Sequence, residues 1–467
     1  MPASPAHALA AAMWAGLDGD PGRLRRLRLH GDGALDSAFA VSDFAAAAVG
    51  VAALAADELA APAPAAAAQR EAAVQVDRRL AALSFGSTLR PIGWQPPPLR
   101  DPLTGDYAAR DGWIRLHANA PPHRDAAYRV LGLPAGADAA QAAPRVAQWQ
   151  ADALEQAVVD AGGCAAAMRG AQAWREHPQG VALLRQPLVL RDTTPAPPAR
   201  WSPSPGRPLR GLRVLDLTRV LAGPVATRML AALGATVLRI DAPDWNEPGV
   251  IPEVSVGKLC ARLDLKTPDG LRSFVELLAD ADVFVHGLRP GALDALGLDA
   301  AARAQLRPGL VDVSLDAWGW DGPWARRRGF DSLVQMSCGI AEAGMRWRGS
   351  ARPLPLPVQA LDHATGYLMA AAALRALRLR VHGAIATRAR LSLARSAWLL
   401  LEQPQPAQVS PHAAPRDEDL AEGVEHTAWG PARRLRMPWR IAGVESRWEL
   451  AAAALGSSPA CWPAREG

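Results

Sequence analysis

Apolar and polar positions change period several times along this 467-residue chain, and the sharpest change falls at residues 211–241. Val214, Leu215 and Leu217 form an apolar run of strand length. Gly223-Pro224 follows, with proline where a helix's first turn tolerates it. Val225, Met229, Leu230 and Leu233 then recur at helical spacing, and Gly234 is a natural helix stop. Thr236 to Ile240 reads as a second buried strand, closed by Asp241. Strand, tight turn, helix, strand is the opening unit of a doubly wound sheet, which binds ligands at the carboxyl ends of its strands.

The same patterning extends downstream. Thr267-Pro268 marks a helix start, with Leu271, Phe274, Val275 and Leu278 as its buried stripe. Asp282–Val285 and Leu310–Leu315 read as further strands, so strands and helices alternate as a parallel sheet requires. A helix from about Asp362 to Leu379 closes this core, and the tail from Gly430 reads as irregular. Upstream, residues 1–35 read as irregular, 36–58 as a strong Ala-rich helix and Ala61–Ala68 as a low-complexity connector. Val74–Leu83 is an amphipathic helix or a strand leading into one, residues 91–112 are loop, and Gly112–Ala118 alternates like a half-buried strand. Helices follow at about 123–131 and 138–160. The prolines between 195 and 208 mark a linker. The expected fold is therefore α/β, a Rossmann-like doubly wound parallel sheet with a smaller α+β domain and Ala-rich helices.

Composition narrows the function. Charged residues make up 21% and the net charge is +5, with Lys258 and Lys266 the only lysines. No dense basic patch with interleaved aromatics argues for nucleic acid. Residues 38–57 are the most membrane-like segment, but Asp43 and Asp57 make a buried helix the better reading than a span. Cys164, Cys260, Cys338 and Cys461 lack paired spacing, which disfavours a metal site and fits a reducing cytoplasm. The Leu221–Pro224 turn could hold phosphates through amides at a helix start, or simply pack as a βα turn. It is not Gly-x-Gly-x-x-Gly, so a nicotinamide cofactor is disfavoured.

One internal echo stands out. Residues 39–50 around Asp43 resemble residues 357–366 around Asp362; each leads into an Ala/Leu helix and then an Arg-containing stretch. Partial duplication and chance similarity both explain it.

Several ordered blocks resemble the class III coenzyme A transferases (the CaiB/BaiF type), which include formyl-CoA transferase and carnitine CoA-transferase. They are Leu209–Pro224, Leu233–Asp241, Leu263–Gly270, Ala281–Asp294, Gly319–Pro323, Gly329-Phe-Asp331 and Leu361–Gly366. Together they span about residues 209–400. The resemblance implies a nucleophilic aspartate at Asp362 and coenzyme A as substrate, with no permanently bound cofactor. A carboxylate with an ordinary pKa of about 4 is ionised at neutral pH and needs no general base. It would attack an acyl-CoA thioester and pass through a mixed anhydride and an aspartyl-CoA thioester, replacing one hard step by two easier ones. The plain alternative is that Asp362 only caps its helix. The resemblance further implies CoA contacts at Leu221, Ala222, Gly223, Leu263, Lys266, Leu288, Arg289 and Ala292, with Lys266 and Arg289 as the phosphate candidates.

This chain departs from formyl-CoA transferase at Gly287, Leu288, Ala295, Ala242 and Asp316. The family's racemases carry a histidine where Phe330 stands, so transfer is favoured over racemisation. A CoA-binding pseudoenzyme or structural subunit is the remaining alternative. The order of parts is also unusual, because about 200 residues precede the opening unit. Residues 1–193 resemble a headless family copy, followed by a linker at 194–208, the core at 209–400 and a return segment at 401–467. The expected partners are acyl-CoA and carboxylic acids, with a homodimer or an internally fused pseudo-dimer and neither nucleic acid nor membrane.

Overall fold

The computed structural model describes residues 4–61, 73–403, 410–412 and 414–464. The N-terminal part comprises α1 (Pro5–Gly16), β1 (Leu27–His30), α2 (Val41–Ala60), β2 (Val74–Asp77), α3 (Arg78–Ser84) and β3 (Leu89–Pro91). A small unit follows: β4 (Gly105–Ala108), β5 (Trp113–Leu116), α4 (Pro121–Leu131), α5 (Ala139–Val146), α6 (Ala151–Asp160) and β6 (Ala165–Ala167). Next come α7 (Ala171–Glu176), α8 (Pro178–Leu184) and β7 (Leu190–Pro195). The core then runs β8 (Arg213–Leu217), α9 (Ala222–Ala232), β9 (Thr236–Asp241), α10 (Ile251–Val254), β10 (Lys258–Arg262), α11 (Pro268–Ala279) and β11 (Val283–His286). It continues through α12 (Ala300–Leu306), β12 (Val311–Asp316), α13 (Asp331–Ser337), α14 (Ile340–Arg348), α15 (Ala360–Gly383), β13 (Ile385–Ser392) and α16 (Leu393–Leu401). The tail adds β14 (Glu425–Thr427), β15 (Gly430–Arg434) and β16 (Trp439–Ile441).

Seven strands form the main sheet in the order β10-β9-β8-β11-β12-β13-β7. Six are parallel and only β7 is antiparallel, beside β13. This is the expected α/β core. Three of its strands lie outside the expected list. β10 (Lys258–Arg262) and β7 (Leu190–Pro195) are its two edges, and β13, the Arg-containing stretch after α15, lies between β12 and β7. Three corrections follow as well. Pro5–Gly16 is a helix rather than irregular, because Leu9, Met13 and Trp14 find buried partners that only the fold supplies. The expected helix at 138–160 is two helices, parted at residues 147–150. The tail from Gly430 holds two short strands, β15 paired with β14 and β3, and β16 paired with β2. The Ala61–Ala68 connector falls almost wholly outside the described residues.

Two helices occupy the centre. α2 is buried from Val41 through Leu59, and α15 from Ala360 through Leu374. A helix apolar on every side belongs inside a large protein. α15 packs on β12, β13 and α9, α2 packs on α15, and β1, β2 and β16 cover the far side of α2. No helix among the described residues is long and apolar enough to cross a membrane. Polar anchors fix the far end of α2. Asp57 pairs with Arg26 at 2.8 Å, and Glu58 pairs with Arg23 at 3.3 Å and with Arg375 of α15.

The order helix, strand, helix appears twice, as α2–β2–α3 and as α15–β13–α16. In the first, the Arg78 guanidinium grips both carboxylate oxygens of Asp43, at 2.7 and 3.1 Å. Asp43 is therefore fully engaged in an ion pair.

Gly366 sets how closely α15 approaches α9. A Cβ there would stand 2.4 Å from the Ala222 carbonyl oxygen and 2.9 Å from Val225 Cβ. Gly366→Ala should force the helices apart at a cost of about 1–3 kcal/mol. The check is a thermal melt, and an unchanged midpoint contradicts the close approach.

Candidate functional site

The sheet's chain order reverses between β8 and β11, because β8, β9 and β10 run one way and β11, β12 and β13 the other. A crevice at the carboxyl ends of such a pair is where doubly wound sheets bind ligands. Its floor is the turn from β8 into α9. Beneath the turn, the Lys258 ammonium donates to Asp216 at 3.0 Å, to Thr227 Oγ1 at 2.7 Å and to the Pro224 carbonyl at 3.0 Å. Both charged side chains are fully buried. Burial opposes ionisation of Asp216, but Lys258, Arg239 and two threonine hydroxyls outweigh it and hold the carboxyl below its usual range. A buried ion pair survives only when hydrogen bonds complete it, as here. The turn above it is constrained enough to hold Val220 at φ +62. The Val220 amide donates to Glu247 at 2.9 Å.

Asp362 is the third residue of α15 and only 9% exposed. The helix's N-cap is Gln359, so Asp362 is not the cap that the plain alternative would make it. A different carboxylate receives the helix's free amides. Asp331, at the start of α13, accepts the Asp362 amide at 2.9 Å and the Leu361 amide as well. Gln335, one turn along α13, donates to Asp331 and accepts the Leu356 amide at 2.7 Å. The loop before α15 and the helix start are thus tied to α13 through one carboxyl–amide chain.

This placement changes the ionisation of the pair. Burial pushes the Asp331 carboxyl up to about 6 against its amide donors. Burial, and then the charge of Asp331, hold Asp362 well above the carboxylate range. The sequence expectation of an ordinarily ionised nucleophile gives way here, because two carboxyls out of water do not both carry charge. Asp316, at the end of β12, goes further. Burial lifts it to about 8 despite a 2.9 Å hydrogen bond from the Gly319 amide, and among the described residues its other oxygen has no partner.

A cleft of about 220 Å³ opens beside this centre, between the crevice and the small unit. Val220, Trp245 and Phe330 line it from the core, with Arg100 from the loop ahead of β4 and His117 just after β5. Phe330 immediately precedes Asp331. The His117 ring stacks on Phe330 at 3.8 Å, and His123 meets it edge-on at 5.8 Å.

The sequence-assigned CoA contacts lie at the same edge of the sheet, but none of them lines this cleft. Leu221, Ala222 and Gly223 are buried in the first turn of α9. Leu263, Leu288 and Ala292 are partly buried in the loops after β10 and β11, where Lys266 and Arg289 are exposed. Asp331, Asp316 and His117 were not assigned roles from sequence. Asp331 lay in a recognised block, but its role depends on a helix start 31 residues away. The histidines come from the N-terminal part, which periodicity alone does not bring to the crevice.

Residues 209–437 match the model of CoA-transferase family III. An acetyl-coenzyme A transferase, nodX, of Hypoxylon pulicicidum is 35% identical over 202 residues, 40% of this chain and 34% of that protein. A probable fatty acyl-CoA transferase, Rv3272, of Mycobacterium tuberculosis is 34% identical over 200 residues, 39% of this chain and 50% of that one. The matched region thus spans about a third to a half of these curated relatives. A crystal structure of Rv3272 aligns over 41% of this chain and 56% of its own, at 31% identity and a TM-score of 0.38.

The raised carboxyls fix a pH dependence. A group whose folded pKa lies above its unfolded value of about 4 stabilises the fold below that pH. That stability is lost as pH rises through the folded pKa, so for Asp316 the loss runs from about pH 4 to about 8. His117 and His363, both lowered to about 3 by burial, act oppositely below their unfolded value. Comparison with Asp316→Asn isolates the carboxyl. The variant's melting temperature relative to the parent should climb steadily from pH 5 to 8, and a flat difference contradicts the buried, unpaired state.

Proposed function

Residues 209–437 belong to CoA-transferase family III, and on that premise we propose that the chain moves coenzyme A from an acyl-CoA thioester to a carboxylic acid through Asp362. The observation that carries this reading is the helix start. A carboxyl stands in the first turn of α15 with Asp331 fixing the backbone around it. The Asp362 carboxylate attacks the thioester carbonyl, a carbon–oxygen bond forms and the CoA thiolate leaves. Thiolate departs readily because an ordinary thiol pKa is only about 8.5. The thiolate then attacks the aspartyl carbonyl of the mixed anhydride, releasing the donor acid and leaving an aspartyl-CoA thioester. The acceptor carboxylate attacks this thioester and expels the CoA thiolate, and the thiolate then attacks the acceptor carbonyl of the new anhydride, giving the acceptor-CoA thioester and free Asp362.

Only the anion attacks, so the elevated Asp362 sets the acid limb of the rate. Its proton leaves more easily when Asp331 is neutral, and the pair titrates as a unit. The rate should therefore rise with pH through a step above the ordinary carboxylate range.

The N-terminal 193 residues complete this arrangement as a headless family copy, one without the opening strand–helix–strand unit of its own. What supports this is the repeated order α2–β2–α3 and α15–β13–α16, with α2 against α15. Phe85, directly after α3, stacks on His363 at 4.8 Å, next to the nucleophile. Glu253 of the core receives Thr88 Oγ1 at 2.6 Å and the Thr88 amide at 3.0 Å, which fastens this segment beside the site. A CoA-binding protein without turnover is the second reading, favoured by the confinement of Asp362.

Two experiments test these readings. Incubation with acyl-CoA and hydroxylamine should convert Asp362 to its hydroxamate, and Asp362→Asn should lose at least ~10³-fold in CoA exchange. Full exchange in that variant, or no adduct with any acyl-CoA in a donor panel, overturns the catalytic reading. Light scattering on the active species should give the mass of one chain; activity confined to a larger assembly contradicts the in-cis arrangement.

A further inference from the structure

Asp43 and Asp362 sit in matching frames. In the first, β1 and β2 run parallel and end together at His30 and Asp77; in the second, β12 and β13 run parallel and end together at Asp316 and Ser392. Asp77 and Ser392 each cap the helix that follows. Asp77 takes the Leu80 amide at 3.0 Å, and Ser392 takes the Arg395 amide at 3.3 Å. The helix inside each frame also starts on the same turn. Its N-cap is Ala40 at φ −74, ψ 55 in one and Gln359 at φ −75, ψ 66 in the other. The next amide reaches back to the carbonyl of Phe39 or of Val358, at 2.8 Å in both. Asp43 and Asp362 are each the third residue of their helix.

The strands that complete the frames are exchanged. β7, from the N-terminal part, lies antiparallel on β13, and β16, from the tail, lies antiparallel on β2. Chance similarity between two Ala-rich helices accounts for neither the register nor the caps. The carboxyls differ in what meets them. Arg78, the first residue of α3, grips Asp43 with two hydrogen bonds and donates to the Gly33 carbonyl as well. Both side chains of this pair are largely buried. The first residue of α16 is Leu393, which has no charge to offer. Among the described residues Asp362 has no ion-pair partner, and the charge that acts on it is that of Asp331. Asp331 arrives on α13, whereas residues 31–40 join β1 to α2 with no helix between them.

We propose that Asp43 is the silenced counterpart of Asp362: the chain holds two copies of one strand–helix–strand–helix frame but a single working carboxyl, and Arg78 has turned the other into a structural anchor. The proposal rests on the transferase reading for what Asp362 does, and not for the match of the frames. A carboxylate held in the planar fork of an arginine has its lone pairs and its charge committed there. The two aspartates therefore act oppositely on stability. Removing one partner of a buried ion pair strands the other charge. A carboxyl held above its usual range instead costs the fold stability at neutral pH, because the unfolded chain ionises freely.

Thermal melts of the full chain at neutral pH test the anchor without requiring turnover. Asp43→Asn and Arg78→Met should each lower the midpoint by at least ~3 °C, and the double variant should fall no further than the worse single one. Arg78→Lys, which keeps the charge and loses the fork, should fall by less than Arg78→Met. Asp362→Asn should leave the midpoint unchanged or raise it. Peptide mapping after acyl-CoA and hydroxylamine should find the hydroxamate at Asp362 and none at Asp43. Below its own midpoint, Asp43→Asn should keep CoA exchange within ~3-fold of the parent. Additive losses in the double variant, or an unchanged midpoint in Asp43→Asn, overturn the proposal. So does a fall in Asp362→Asn as large as that in Asp43→Asn, or an adduct on Asp43. An adduct at neither aspartate, with the melts as expected, defeats the transferase reading and leaves the anchored copy in place.

Discussion

Two carboxyl groups at one helix start, both withdrawn from water, are the constraint on which the rest of the site depends. Asp331 occupies the amides that open α15, and Asp362 stands among them as a side chain. A helix start favours one negative charge, worth a fraction of a kcal/mol to about 2 kcal/mol in partly buried settings. It does not favour two. Asp331 takes that favourable position through direct hydrogen bonds, which leaves Asp362 the more easily neutralised partner. The Asp331 carboxylate thereby fixes the backbone geometry of Asp362 and also governs its charge.

The fold supplies this geometry by burying helices rather than loops. α15 lies between the seven-stranded sheet and α2, and small residues along both let the backbones approach. On the opposite side of the crevice, the sealed Lys258–Asp216 pair keeps the β8–α9 turn rigid. Such a pair contributes little net stability, since desolvation offsets its attraction, but removing one partner strands a charge.

Much of this was legible in the sequence where the governing physics is local. The β8–α9–β9 unit, the Thr267 cap and the Pro268 start depend on residues a few positions apart, and the Thr267 hydroxyl does receive the Gly270 amide at 3.2 Å. Asp362 was identified by resemblance, although its ionisation was not, because burial and the approach of Asp331 are tertiary facts. The echo around Asp43 was visible as text, but the Arg78 clamp on its carboxylate was not. β7 was hidden by the prolines that follow it, and α1 by the polar stretch after it, which separates it from α2, the helix it packs on.

The pairing of α2 with α15 has a consequence for how the protein is made. About three hundred residues separate the two helices in the chain, and at roughly 5–20 residues per second the ribosome needs on the order of 15–60 s to pass from one to the other. Throughout that interval α2 has emerged with apolar residues on every side and its main partner not yet synthesised. The nascent chain therefore presents a chaperone with a long, sticky target, and the speed of translation becomes part of what decides whether the polypeptide reaches its native state.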